Sequence, residues 1–326
     1  MRNSWYYLVL LFFVIVSCGK GGDPEVETAP PVVDFPDFDA DSAYSFIQQQ
    51  VDFGPRVPNS AAHRETREWL VSKFESYGMD VTEQNFEARA FDGTNLELTN
   101  IIASWNPQAS KRILLAAHWD TRPMADKDTQ RIDEPIDGAN DGASGVGVLL
   151  EIARTITSDA NQPAVGIDFI LFDGEDYGEP EHTNTRNNTQ IWWALGSQHW
   201  SKNPHQVGYT AYYGILLDMV GGKNARFYRE GFSMKYAKNI VQKVWNNAHN
   251  LGYSDFFQMR NAGEITDDHV FVNEIAKIPM IDIIDFSPDY GFGRFHHTHD
   301  DNMDIIDKRT LKAVGETVLY TIYQED

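Results

Sequence analysis

The chain has 326 residues, 42% hydrophobic and 23% charged, enough apolar material for one large globular domain or two small ones. Its formal net charge of −21, with no Lys/Arg cluster, argues against a nucleic-acid groove or an anionic membrane face, since either needs a dense basic patch. The single cysteine, Cys18, excludes disulfides and thiolate metal sites from the mature domain, so any metal must be held by His, Asp and Glu.

In chain order, Arg2 precedes an apolar run from about Trp5 to Val16 that is too short for a comfortable membrane span and reads as a secretory signal. Ile15-Val16-Ser17-Cys18 resembles a bacterial lipobox, so residues 1–18 are expected to be a lipoprotein signal peptide. The mature protein would then be exported and anchored through lipidated Cys18 to a bacterial membrane, facing periplasm or cell exterior. Residues 19–36, rich in Gly, Pro and acids, read as a flexible tether, and residues 37–326 as one catalytic domain.

That domain opens with two expected helices, SAYSFIQQQVDF with Asp41 as N-cap and a second from Ser60 to a glycine stop at Gly78. DVTEQNFEARAF and NLELTNIIASW alternate as an antiparallel hairpin. Strands and helices then take turns: strand 112–120, helix 142–156, strand 166–173, a helix near WWALGSQHWSK, strand 213–220, helix 235–250, strand 279–285 and a closing helix in TLKAVGETVLYTIYQ. Near-continuous apolar strands between amphipathic helices predict an α/β fold: a three-layer α/β/α sandwich with a mixed, mostly parallel central sheet. Ligands of such sheets bind at the carboxyl ends of the strands.

Acids and histidines fall at those ends. His118 and Asp120 follow one strand, Glu175 and Asp176 the next, and Asp218 a third; Asp141 precedes a helix, and His296, His297 and His299 sit in FHHTHDDN. Taken singly each has a plain alternative. Asp141 could be only an N-cap, Asp218 a turn acid, and the histidine run a solvated surface. Together they bring unpaired carboxylates and imidazoles from separate segments to one sheet edge, where a cation is the simplest neutraliser and zinc suits the donor set.

The ordered series HWDT, NDGASG, DGED, LLDMVG, TDDHVF and HTHDDN, spanning residues 118–302, resembles the zinc-dependent aminopeptidases and their relatives, the animal-type glutaminyl cyclases, in a bacterial lipoprotein form. The resemblance implies a zinc-aminopeptidase-like fold with zinc on Asp141, Asp176 and His297, and Glu175 as the proton-transferring acid/base. A second zinc, as in the peptidases, would use His118 and Asp218 with Asp141; one ion is expected for a cyclase and two for an aminopeptidase. Asp267 stands where the peptidases typically carry Ser, which favours the cyclase, and FGPRVPNS resembles the N-terminal segment of the cyclases. The implied activity is a cyclotransferase (acyltransferase) that converts the N-terminal glutamine of peptides or proteins to pyroglutamate with release of ammonia, with Glu175, Asp218 and Asp267 as catalytic residues. The alternatives are a two-zinc aminopeptidase and a non-catalytic peptide-binding lipoprotein. Peptide N-termini are then the partners, with no nucleic acid and no membrane contact beyond Cys18. Two departures stand out: Asp176 is one methylene shorter than the Glu of the animal enzymes, and Asp282 replaces their strand His. Trp192, Trp193 and Trp200 offer an apolar pocket, with core and lid packing as the alternative.

Overall fold

A computed structural model describes residue 1, residues 33–180 and residues 191–325. The expected signal run and lipobox Cys18, and the tether up to residue 32, lie outside the described residues. Val33 and Phe35 already pack on the core, Phe35 with its ring centroid 5.2 Å from that of Tyr320, so packing begins ahead of residue 37.

Helices α1 (Ala40–Asp52) and α2 (Ala61–Ser76) open the domain. The N-cap of α1 is Asp39 rather than Asp41: its carboxylate accepts from the amides of Asp41 and Ser42, which places Asp41 in the first turn. Ser60 caps α2 as expected, accepting from His63 N. Strands β1 (Asp80–Arg89) and β2 (Asn95–Trp105) form the antiparallel hairpin, with register Asp80 to Ser104 through Arg89 to Asn95.

The alternating pattern continues as β3 (Arg112–His118), α3 (Ala143–Ser158), β4 (Gly166–Phe172), α4 (Leu195–Lys202), β5 (Tyr213–Asp218), the short strand β6 (Phe227–Arg229), α5 (Gly231–Tyr236), α6 (Lys238–Asn250), β7 (Phe257–Asn261), α7 (Asp268–Phe271), β8 (Met280–Ile284) and α8 (Lys308–Tyr323). The six-stranded sheet has the order β1-β2-β4-β3-β5-β8. Strands β4, β3, β5 and β8 are parallel and the hairpin adds an antiparallel edge. The strand alternation splits the core in two. Ile113, Leu115, Phe169, Leu171, Ile215, Leu217 and Ile281 face α1, α2, α3, α6 and α8, whereas Leu114, Ala116, Ile170, Phe172, Leu216 and Met280 face Trp200 of α4 and Val272 just past α7.

The single helix expected over 235–250 is two, broken at Ala237. Glu230, buried ahead of α5, starts the first of them: its carboxylate accepts from Phe232 N (2.7 Å), Ser233 N (2.6 Å) and Ile265 N (3.0 Å) and meets Nε2 of His269 at 3.0 Å. Burial alone would raise this carboxyl, but its bond with His269 and the α5 amides hold it down, from 4.5 to about 2. A folded-state value below the unfolded one means that ionised Glu230 contributes stability above about pH 4.5, lost as pH falls through about 2. Glu230→Gln should therefore cost about 3 kcal/mol at neutral pH, with the difference from wild type shrinking between pH 4.5 and 2 in urea unfolding. A pH-independent difference would refute this assignment.

Candidate active site

The carboxyl ends of β3, β4 and β5 converge with the Asn140-Asp141 turn and the His296-His297 loop around a cavity of about 480 Å³. Its lining includes Asp126, Asp141, Glu175, Trp192, Trp193, Asp218, Asp267, Phe292, His296 and His297. No serine or cysteine lines it among the described residues.

Side-chain brackets between distant segments build this wall. Asp120, fully buried beyond β3, accepts from Glu175 N (3.0 Å) and Asp176 N (3.1 Å), so one carboxylate holds the main chain of both neighbouring acids. Asp301 does the same for the metal-binding candidate turn, accepting from Asn140 N (2.7 Å) and Asp141 N (3.0 Å). Asn140 and Ser144 in turn accept from Gly221 N and Val220 N, which ties the loop after β5 to the start of α3. Arg56, wholly buried, donates to the carbonyls of Trp119, Asp137 and Gly138; the FGPRVPNS segment thus supports the Asp141 turn rather than touching the cavity. Gly142 has φ +90°, and a Cβ there would lie 2.8 Å from the Asp120 carbonyl, so glycine is required for this turn.

Against that frame of fixed backbone, the seven acids and histidines expected to bind metal or act in catalysis are brought together. Nε2 of His297 lies 3.2 Å from Asp176 Oδ1 and 3.9 Å from Asp141 Oδ2. Nε2 of His118 lies 3.0 Å from Asp141 Oδ1 and 3.3 Å from Asp218 Oδ1. Asp141 is therefore shared, one oxygen facing each histidine. Both oxygens of Asp176 and Oδ2 of Asp141 are buried with no hydrogen-bond donor. Carboxylate oxygens in that condition are costly unless a cation meets them, and with two imidazoles the donor set fits zinc. His296 also stands within ligand distance of Asp141 and His297. His299 does not: it pairs with Asp128 at 2.8 Å.

Glu175 and Asp176 diverge as successive residues past a strand do. Asp176 turns to His297, while Glu175, half-buried, lines the cavity. Burial pushes the Glu175 carboxyl well above its usual range, Asp267, Asp176 and Asp268 add repulsion, and His118 opposes them. Asp218 is pushed up to about 7, again first by burial, with His118 opposing and Asp141 and Asp267 adding to the rise. Burial and then repulsion from Asp141 raise Asp176. Asp141 moves down: burial opposes, but the hydrogen bond and charge of His118 prevail, helped by His296 and His297. Asp267, raised by burial, shares a buried cluster with His269 and Asp282, so this replacement for the animal histidine stands beside the acidic wall.

The aromatic expectation divides. Trp192 and Trp193 line the cavity, and Trp193 stacks on His297 at 5.7 Å and 7°. Trp200 is fully buried against Phe172 and Tyr209 on the second sheet face and takes no part. Two side chains went unrecognised in the sequence, Arg122 and Asp126 just beyond HWDT, whereas His296, a candidate from FHHTHDDN, stacks 3.7 Å from His297. The Arg-x-x-x-Asp spacing after that motif was the available signal.

Comparison with known proteins agrees with this geometry. Residues 100–322 match Peptidase family M28. A solved Bacteroides thetaiotaomicron glutaminyl cyclase bound to N-acetylhistamine is 52% identical, covering 90% of this chain and all of that one with a TM-score of 0.87. A leucine aminopeptidase precursor from the same organism is 52% identical over the same shares, with a TM-score of 0.85. The glutaminyl-peptide cyclotransferase of Drosophila melanogaster is 25% identical over 280 residues, 78% of this chain and 73% of that protein. The chain belongs to peptidase family M28, in the branch that holds the bacterial glutaminyl cyclases.

Proposed function

We propose that the protein is a glutaminyl-peptide cyclotransferase, closing the N-terminal glutamine of a peptide or protein into pyroglutamate. The observation that carries this reading is the cavity wall itself: Glu175, its carboxyl raised by burial, stands with Asp218 and Asp267 beside orphaned carboxylate oxygens, and no serine or cysteine lines the cavity among the described residues. Cyclisation needs none, because the substrate's own α-amine attacks its side-chain amide carbon. A single zinc ion on Asp141, Asp176 and His297 would supply Lewis acidity to the amide carbonyl oxygen.

The chain's residues do the rest. Glu175 takes a proton from the attacking amine as the new N–C bond forms and returns it to the amide nitrogen, which leaves as ammonia when the old C–N bond breaks. A carboxyl lifted toward neutral can do both. Asp218 and Asp267 hold the amine and amide hydrogens in line, and Trp192, Trp193 and Phe292 shield the reacting end from water.

A second reading, two-zinc aminopeptidase, is favoured by one observation, the approach of Asp141 and Asp218 to within 3.3 Å of His118 Nε2. Incubating the zinc-loaded protein with Gln-initiated dipeptides separates the two. Ammonia release with one zinc per chain supports the cyclase, whereas release of a free N-terminal residue with two zincs would overturn it. A lipid anchor at Cys18, supported by the Ile15–Cys18 motif, would present this site outside a bacterial membrane.

A further inference from the structure

Arg122 is fully buried immediately past HWDT, and its side chain touches Asp176 directly and His297 by way of Asp126. Nε donates to Asp126 Oδ1 at 2.5 Å, and Nη1 donates to the carbonyls of Asp176 (2.9 Å) and Gly178 (3.3 Å). The same Nη1 lies 3.6 Å from Asp176 Oδ1. The guanidinium carbon sits 4.6 Å from the centroid of the Trp193 ring that also stacks on His297. Asp126, nearly buried, carries the contact onward: its Oδ1 is 3.5 Å from Nδ1 of His297, the ring nitrogen turned away from Asp176.

We propose that Arg122 is a positioning residue of the metal centre, fixing the main chain of Asp176 directly and the ring of His297 through Asp126. This rests on the reading of Asp141, Asp176 and His297 as zinc ligands. The peptide units around Asp176 are gripped from both sides, N–H by Asp120 and C=O by Arg122. A side chain one methylene shorter than glutamate has less reach, so its oxygen must be aimed by the backbone, and this grip leaves Oδ1 3.2 Å from His297 Nε2. A histidine whose far nitrogen meets a carboxylate is held in ring orientation and made a stronger donor. Only a planar fork serves both tasks at once, because the donors on Nε and Nη1 diverge toward a carboxylate and two carbonyls. A lysine ammonium at the same place would supply charge without that geometry.

The test uses the full chain as Arg122→Gln, Arg122→Lys and Asp126→Asn, with zinc affinity measured by competition against a chelating dye and ligand geometry by the visible spectrum of the cobalt-substituted protein. Arg122→Gln should weaken zinc binding by about 10- to 100-fold and alter the cobalt spectrum. Added guanidinium should recover part of the loss, and Arg122→Lys should recover less than half of it on a logarithmic scale. Zinc affinity within about threefold of wild type, with an unchanged cobalt spectrum, would overturn the proposal, as would full recovery by lysine. Should Arg122→Gln not fold, Asp126→Asn decides alone: weaker zinc binding by about tenfold supports the relay to His297, and unaltered binding overturns it. Failure of the wild-type protein itself to bind zinc would instead refute the ligand assignment.

Discussion

Glu175→Gln is expected to lower turnover of a Gln-initiated peptide by about a hundredfold to ten-thousandfold while zinc stays bound. The amide keeps the shape of the carboxyl, so burial and packing change little. What disappears is the ability to hold a proton and release it. Glu175 is raised well above the ordinary carboxylate range by burial and by the acids around it, so the wild-type group holds a proton more readily than an exposed carboxylate does. Its main chain is fixed independently by Asp120, so the variant should fold and load metal normally. Ammonia release and zinc content measured on one sample provide the check. Loss of zinc together with activity would make Glu175 a ligand, and near-normal turnover would refute the proton-transfer role.

Asp141→Asn should have an equally large effect by a different route. Asp141 is the one residue that faces both His118, at 3.0 Å, and His297, at 3.9 Å, and its second oxygen has no donor. Removing its charge should weaken zinc binding by at least about a hundredfold, beyond what loss of an orienting partner causes, with turnover restored in part by excess zinc. The turn itself should persist, because Asp301 grips the backbone amide of residue 141 rather than the side chain. Asp218→Asn is the control. Its carboxylate meets His118 at 3.3 Å, and zinc on Asp141, Asp176 and His297 should remain while turnover falls. Equal loss of zinc from both variants would move the metal to the His118 and Asp218 side.

Much of this was legible in the linear order of residues. Largely apolar runs such as GIDFILF and YGILLD carry their own signal, because a strand buried on both faces tolerates a charge only where it is paired, as Asp168 is with Arg112, and both formed parallel strands in the sheet. The ordered motifs located Asp141, Glu175, Asp176, Asp218, Asp267 and His297, since strands of one sheet must end on the same edge and the loops there share a site. Helix punctuation was less secure. Asp39 and Asp41 are both acceptable caps by type, and only the backbone's entry angle selected Asp39. The start of α5 depends on Glu230, which also receives hydrogen bonds from Ile265 and His269, residues far along the chain.

Residue type and spacing thus determined the fold class and the chemistry of the site's inner face. Tertiary structure decided how those side chains are aimed: Asp120 under the Glu175–Asp176 pair, Asp301 under Asp141, Arg122 and Asp126 behind Asp176 and His297, Trp193 at the cavity and Trp200 in the core. Periodicity and motif order are local properties of a chain, whereas a carboxylate that grips an amide 55 or 160 residues away leaves no local pattern. That partnership exists only once the sheet has brought the two segments together.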